Sequence, residues 1–243
     1  MQVPKIISLR LHNFCSDLIN ADSIVVDLGA NRGAFSQEIS QRFGCKCYAV
    51  EASPELFSII PTNNLIQKFN YVIHSRNAPV QFHTSTNEES GSIQELPQDL
   101  AEDVVRVEGI TLDRFLTDNN IEQVDLLKID IEGAEIELFK SANDESLKKI
   151  KQIAVEFHDF LEYFSLKQDI DAIEKRMKSL GFYYIVFSFF SHADVLFINK
   201  ETSGISYGGY LYLNYFDKYL RGIYRGIKWR WRVLTQQNSP ELS

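Results

Sequence analysis

Cysteine is scarce in this chain, and long apolar runs are missing. The three cysteines, Cys15, Cys45 and Cys47, are too few for a disulfide-stapled scaffold, and the Cys-x-Cys spacing is not one that zinc sites use. The longest apolar stretch, around 182–190, is interrupted by Ser188 and is too short to span a bilayer. No apolar segment typical of a secretory signal lies near the amino terminus. We therefore expect a globular protein of the reducing cytoplasm.

An excess of positive charge is also lacking. The net charge of −8 argues against an enzyme that neutralises nucleic-acid phosphates, so we expect no nucleic-acid partner. Residues 209–243 nevertheless hold six basic and two acidic residues, and 210–234 add eight aromatic ones. Helical spacing places Arg221, Arg225, Lys228 and Arg232 on one stripe of that segment. Two interpretations stay open: a helix packed on its own domain or on the second subunit of a homodimer, or a peripheral helix at the anionic inner face of a membrane.

Apolar strands and amphipathic helices alternate along most of the chain, which predicts an α/β fold with a mostly parallel sheet and helices on both faces. The predicted strands lie near 23–28, 46–51, 68–73, 124–130, 151–157, 181–188 and 194–199. The predicted helices lie near 5–20, 33–43, 54–60, 111–119, 134–142 and 167–180. Short β-like pieces are predicted at 80–83 and 104–107. The domain prediction is an amino-terminal helix within 1–21, a main domain over 22–200 and a basic, aromatic extension over 201–243.

The glycine fingerprint of dinucleotide-binding proteins is absent, although a glycine turn follows the first predicted strand. That fingerprint requires glycines at i, i+2 and i+5, and counting from Gly29 the second and third places hold Asn31 and Ala34. A turn with Gly29 and Gly33 at its ends, and with Asp27 two residues earlier, suits a compact ligand without pyrophosphate. S-adenosylmethionine fits, because its ammonium would face Asp27 and its carboxylate would face free N–H groups of the turn.

A second acidic residue stands at the end of the next predicted strand. Glu51 lies 18 residues after Gly33, close to the offset of about 20 residues at which an acid binds the ribose in doubly wound folds. Its carboxylate can accept hydrogen bonds from both ribose hydroxyls. The residues predicted to bind the cofactor are Asp27, Gly29, Ala30, Asn31, Gly33, Glu51, Ala52 and Asp130.

One further block makes a family resemblance specific. Residues 128–135 read Lys-Ile-Asp-Ile-Glu-Gly-Ala-Glu. Together with 27–33, 111–113 (Thr-Leu-Asp) and 156–158 (Glu-Phe-His), this block resembles the FkbM family of S-adenosylmethionine-dependent methyltransferases, over about residues 22–200. The resemblance implies a class I methyltransferase fold with an antiparallel edge strand, and O-methylation of a hydroxyl on a sugar or natural product.

Three residues are the candidates for the chemistry, since the ligand of an open α/β sheet lies over the carboxyl ends of its strands. Asp130 is predicted to bind the acceptor or to act as general base, with a helix cap as the structural alternative. His158 is a second candidate base, because an unperturbed histidine titrates near neutral pH. Glu132 is predicted either to hydrogen-bond the acceptor or only to favour the helix dipole.

Other functions remain as alternatives. Asp130 with Glu156 or Asp159 would suit Mg²⁺, but the ligand set is not closed, so a metal is neither indicated nor excluded. A non-catalytic sensor or scaffold that binds S-adenosylmethionine is the main alternative function. A nicotinamide oxidoreductase lacks its glycine fingerprint here, and an N-methyltransferase lacks its Asn/Asp-Pro-Pro-Tyr loop. We expect the acceptor to be a hydroxylated small molecule, glycan or glycolipid.

Overall fold

The computed structural model describes residues 4–85, 101–158, 167–188, 191–217 and 219; for 83–85, 101–103 and 217 it describes the backbone alone. The chain divides into a main unit, Lys5–Gly204, and a second unit that includes the described segment from Ile205 onward. The basic helix predicted beyond 219, and Asp159, lie outside the described residues. Within the described ranges, no helix combines the length and the apolar character needed to cross a bilayer.

The described residues of the main unit form twelve strands and seven α-helices. The strands are β1 (Ile6–Leu9), β2 (His12–Cys15), β3 (Ile24–Leu28), β4 (Lys46–Glu51), β5 (Ile66–Asn70), β6 (Val72–Ile73), β7 (Pro79–Ser85), β8 (Ala101–Ile110), β9 (Leu126–Ile129), β10 (Gln152–Val155), β11 (Phe182–Val186) and β12 (Val195–Asn199). The helices are α1 (Ala34–Phe43), α2 (Pro54–Ile59), α3 (Leu112–Asp118), α4 (Glu135–Ser141), α5 (Asp144–Lys148), α6 (Lys167–Ser179) and α7 (Lys200–Ser203). A 3-10 helix spans Ser16–Leu18, and the second unit holds α8 (Tyr207–Leu211) and a π-helix, Tyr212–Asp217.

Seven strands form the central sheet in the order β11-β12-β10-β9-β3-β4-β5. Neighbouring strands are parallel except where β12 pairs with β10 and β11. With helices on both faces, this is the class I methyltransferase fold that the sequence predicts. The antiparallel strand is β12, which lies second from the edge because β11 pairs along its outer side.

The two faces of β3 have different surroundings, because successive side chains of a strand point to opposite faces. Val26 and Leu28 belong to a large buried cluster that also includes Phe115 of α3 and Phe139 of α4. Asp27 points to the other face, where it accepts a hydrogen bond from a side chain of α1. The strand thus carries an acidic side chain into the layer beneath α1.

The predicted helix over 5–20 is wrong. β1 and β2 form an antiparallel hairpin in which Leu9 pairs with His12, and the 3-10 helix follows it. The two-residue loop, Arg10 and Leu11, has φ values of 48° and 70°. Such a loop usually carries Asn-Gly, so this one gives no recognisable turn signal. The near-helical spacing of the apolar residues therefore predicts a helix where the chain forms a β-hairpin.

Tertiary contacts hold the hairpin. The buried side chain of Gln152, at the start of β10, accepts a hydrogen bond from the Cys15 N–H (2.8 Å) and donates one to the Cys15 carbonyl (3.1 Å). The ring of Phe14 meets those of Phe35 and Phe43, both on α1, at centroid distances of 6.4 and 6.3 Å. The hairpin is thus fixed by residues that local sequence patterns cannot reveal.

A second, smaller sheet has the order β6-β8-β7. β6 is parallel to β8 and β7 is antiparallel to it, so the predicted β-like pieces are parts of longer strands. Val72, Phe82 and Val107 form its apolar cluster, and Ala52 packs against them. Because Ala52 directly follows β4, this sheet lies beside the carboxyl end of that strand.

Candidate active site

The turn after β3 lies directly against the turn after β9. Gly29 has a φ of 74°, and a Cβ placed on it would lie 1.7 Å from the carbonyl oxygen of Asp130. Gly33, with a φ of 76°, precedes α1, and its Cβ would lie 2.9 Å from a methyl group of Ile60. Both glycines are therefore required by backbone conformation and by close approach.

The N–H groups at the start of this turn are already used within the protein. Those of Gly29 and Ala30 both donate to the carbonyl of Val50, each at 3.0 Å. The Asn31 N–H donates to Glu51 Oε2 at 2.8 Å. The prediction that they would be free for the carboxylate of a cofactor is therefore wrong, because the short turn bonds back to the end of β4.

A cleft of about 680 Å³, including the volume open to solvent, lies over the ends of β3, β4 and β9. Its lining includes six of the predicted site residues: Gly29, Asn31, Glu51, Ala52, Asp130 and Glu132. Four other predicted residues do not line it: Asp27, Ala30, Gly33 and His158. The cleft is thus bordered on one side by the predicted ribose-binding acid and on another by the block after β9.

One wall of the cleft is apolar and was not predicted from the sequence. It consists of Leu56, Tyr71, Val72, Ile73 and Phe82. These residues come from α2, β6, β7 and the segment before β6, and they carry no motif that would single them out. A purine base fits such a wall, because binding clefts are mostly apolar with a few placed polar groups.

Glu51 is held rigidly at the edge of the cleft. Its side chain accepts the N–H of Asn31 on one oxygen and the N–H of Ser53 on the other, each at 2.8 Å. Glu51 is 7% exposed, and this burial raises its pKa. A carboxylate has about four lone-pair positions, so each oxygen can still accept a hydrogen bond from a ribose hydroxyl.

Asp27 has a different role from the one predicted. It is fully buried and accepts a hydrogen bond from Ser36 (2.6 Å), and its other oxygen lies 3.1 Å from Lys128 Nζ. Lys128 also donates to the carbonyl of Gly29 at 2.7 Å. A direct contact with the cofactor ammonium is therefore excluded, since the cation beside Asp27 is Lys128, which is its neighbour across the β3–β9 pairing.

Asp130 is surrounded by cationic and histidine side chains. Its Oδ2 lies 3.4 Å from His12 Nε2 and 3.6 Å from Lys128 Nζ, and its Oδ1 lies 3.7 Å from His158 Nε2. Burial alone would raise the pKa of Asp130, but Lys128 and the two histidines lower it well below its usual range. Because a strong acid has a weakly basic conjugate, Asp130 is poorly suited to the predicted role of general base.

His158 links two glutamates. Its Nδ1 lies 2.9 Å from Oε1 of Glu135, a fully buried residue, and its Nε2 lies 3.3 Å from Glu132 Oε2. Burial would lower the pKa of His158, but the hydrogen bond with Glu135 and the charge of Glu132 raise it to about 9. At neutral pH the ring is therefore protonated and does not suit the predicted role of base. Glu135 was missed in the sequence, although it closes the specific block.

Glu132 combines an unusual backbone with a raised pKa. Its φ is 50°, a left-handed conformation that side chains other than glycine seldom adopt and that clusters at functional sites. Burial raises the pKa of its carboxyl to about 7; His158 opposes this shift and Asp130 adds to it. The side chain remains 35% exposed and lines the cleft. Its position and its pKa make Glu132 the carboxylate best suited to accept a proton near neutral pH.

Two groups of side chains have ligand atoms within 4.8 Å of one another: His12, Asp130 and Glu156, and Asp130, Glu132 and His158. Neither group fits a metal ion well. Metal-binding histidines must be deprotonated, whereas the pKa of His158 is raised to about 9. Asp130 belongs to both groups, and Lys128 Nζ already lies 3.6 Å from its Oδ2, the oxygen nearest His12. We therefore derive no step through a metal.

Comparison with known proteins identifies the family. Residues 27–184 match the methyltransferase FkbM domain. The 2-O-methyltransferase NoeI of Sinorhizobium fredii is 26% identical, over 63% of this chain and 70% of NoeI. The methyltransferase sdnD of Sordaria araneosa is 24% identical, over 58% of this chain and 70% of sdnD.

Among solved structures, an FkbM methyltransferase from Methylobacillus flagellatus aligns with a TM-score of 0.45 and 13% identity, over 74% of this chain and 44% of that one. This chain thus spans less than half the length of that structure. The domain match covers well over half of the sequence and includes both the glycine turn and the block after β9. The protein therefore belongs to the FkbM family of S-adenosylmethionine-dependent methyltransferases.

Proposed function

We propose that this protein transfers a methyl group from S-adenosylmethionine to a hydroxyl of a sugar, glycolipid or small hydroxylated metabolite. When bound, the cofactor supplies an electrophilic methyl group. Glu51 would hold its ribose, and the apolar wall that includes Val72 and Phe82 would hold its adenine. The exposed part of the Asp130 carboxylate borders the same cleft.

The single observation that carries the proposal is that Glu132 lines the cleft and has a raised pKa. A hydroxyl becomes an effective nucleophile when a neighbouring group accepts its proton. Glu132 lies on the cleft wall with a pKa raised to about 7, and the proton of the hydroxyl would pass to its carboxylate. His158, held by Glu135, fixes one oxygen of that carboxylate at 3.3 Å. An oxygen acceptor also agrees with the similarity to NoeI, a 2-O-methyltransferase.

The test is a Glu132→Gln substitution assayed with methyl-labelled S-adenosylmethionine and a glycan and metabolite extract of cells that express the protein. Mass spectrometry would detect products that have gained one methyl group. Loss of the base should lower the rate of product formation by about 10²–10⁴-fold. Affinity for S-adenosylhomocysteine, measured by calorimetry, should stay within a few fold. Glu122→Gln is the control, because Glu122 is an exposed glutamate of the same unit.

Two outcomes would contradict the proposal. Wild-type product formation by the Glu132→Gln variant would remove this residue from the chemistry. Tight cofactor binding by the wild-type protein, with no methylated product in any extract fraction, would favour the alternative of a sensor or scaffold.

A further inference from the structure

His12 reaches the candidate active site from the amino-terminal hairpin. Its ring is 6% exposed, and its Nε2 lies 3.4 Å from Asp130 Oδ2. The ring of Phe35 meets it edge-on at a centroid distance of 5.8 Å, which fixes its orientation. Neither the glycine turn nor the block after β9 contains His12, and the matched domain begins only at residue 27. The hairpin therefore adds a side chain to the site from outside the matched region.

Glu156 lies on the same side of Asp130 as His12. It directly follows β10, and its carboxylate, the His12 ring and the Asp130 carboxylate have ligand atoms within 4.8 Å of one another. Asp130 is also a neighbour of Glu132 and His158. Asp130 is thus a neighbour of both Glu132, the proposed base, and Glu156. Each of its two oxygens can accept hydrogen bonds.

In the group of side chains that includes Asp130, carboxylates outnumber cations. The carboxylates are Asp130, Glu132, Glu135 and Glu156. The nearby cations are Lys128, which also neutralises Asp27, and the protonated His158. The side chains of Asp130 and Glu132 are 28% and 35% exposed, so both can present carboxylate oxygen to a substrate.

Resting on the proposed function, we infer that Asp130 and Glu156 bind a second hydroxyl, next to the one that is methylated, and that His12 is the positioning residue that orients Asp130 for this contact. The acceptor is accordingly an uncharged diol at its reacting end and carries no phosphate there. A hydroxyl can donate a hydrogen bond to a carboxylate, whereas a phosphate brings only acceptor oxygens and a like charge.

Saturation-transfer NMR tests this inference without knowledge of the natural acceptor. The protein is saturated with S-adenosylhomocysteine and presented with methyl glycosides of common hexoses and 6-deoxyhexoses, each beside its deoxy and its phosphorylated counterpart. At least one glycoside should bind, and its phosphorylated counterpart should bind about tenfold more weakly or worse. Glu156→Gln and His12→Ala should each weaken glycoside binding by about tenfold, the effect of losing a hydrogen bond to a charged group.

Three controls separate positioning from folding. His12→Gln, which keeps a donor near Asp130, should restore much of the binding that His12→Ala loses. Ser8→Ala, on the exposed side of the same hairpin, should leave it unchanged. Affinity for S-adenosylhomocysteine should be the same in all variants, because neither His12 nor Glu156 lines the cofactor cleft. The melting temperature of His12→Ala should fall, because its ring is buried against Phe35, whereas that of Glu156→Gln should not.

The inference is overturned if no glycoside binds to the cofactor-loaded protein, if phosphorylated sugars bind equally well, or if Glu156→Gln and His12→Ala bind glycosides like the wild type. It is also overturned if Mn²⁺ binds and Glu156→Gln abolishes that binding, since the group would then be a metal site. A failure to bind S-adenosylhomocysteine would instead contradict the proposed function, so the two failures can be told apart.

Discussion

Replacing Gly29 by alanine should damage both the stability of the protein and its affinity for the cofactor. With φ at 74°, a side chain costs about 1–2 kcal/mol through its backbone alone. The added Cβ would also lie 1.7 Å from the Asp130 carbonyl oxygen, where real Cβ atoms keep at least 3.0 Å. One of the two turns must move by more than an ångström, and such overpacking costs about 1–3 kcal/mol more. The expected loss is therefore about 2–5 kcal/mol.

Gly44→Ala, at the residue that directly follows α1, is a matched control. Its φ is 72°, but a Cβ there would meet the Cβ of Ala21 at 3.5 Å, an ordinary contact. Only the backbone cost of about 1–2 kcal/mol should appear. Urea unfolding followed by circular dichroism gives both free energies, and calorimetry gives the affinities for S-adenosylhomocysteine. Gly29→Ala should weaken that affinity by at least about tenfold, whereas Gly44→Ala should not change it. Equal unfolding midpoints and equal affinities for the two variants would refute the close approach of the turns.

The remaining predictions concern ligands and pH. Glu51→Ala should weaken binding of S-adenosylhomocysteine by about 1–3 kcal/mol in calorimetry, because ribose hydroxyls would lose a buried partner; unchanged affinity would remove Glu51 from the cofactor site. Turnover should rise as pH increases through about 7, where Glu132 loses its proton, and fall above about 9, where His158 loses its own; a flat profile from pH 6 to 10 would contradict both assignments. The folded-state pKa of His158 lies above its ordinary value of 6.5, so its contribution to stability should be fully present below about 6.5 and lost as pH rises through about 9. Treatment with a chelator should leave turnover intact, since Lys128 and His158 already neutralise Asp130; a loss that Mg²⁺ restores would make Asp130 a metal ligand.

The elements that the sequence predicts well are those whose signal is local. The strand–glycine–helix pattern around Gly29 and Gly33 places β3 and α1 within a residue or two of their observed bounds. The same holds for Glu51, which ends β4 as expected. Each of these features depends on neighbouring residues in the chain, so one stretch of sequence contains the whole pattern.

The features that the sequence misses depend on partners far along the chain. The hairpin that carries His12 is fixed by Gln152, 137 residues after Cys15, so apolar spacing alone suggested a helix. The site chemistry shows the same limit. Glu132, His158 and Asp130 were all identified as candidates, but their protonation depends on Lys128 and Glu135 in the folded site. Asp27 was predicted to bind the cofactor because the sequence does not reveal that Lys128, on the adjacent strand β9, lies beside it.

The two hydrogen bonds between Cys15 and Gln152 also affect the order in which the protein folds during synthesis. A ribosome adds about 5–20 residues per second, so the 137 residues between the two partners take roughly 7–27 seconds to make. Throughout that interval the apolar side chains of the hairpin, Ile6, Leu9 and Phe14, have no completed sheet to cover them, although all three are buried in the finished fold. Until β10 has been made, the hairpin therefore lacks the hydrogen bonds that hold Cys15 in the finished fold. His12 joins the active site only after β10 has been made.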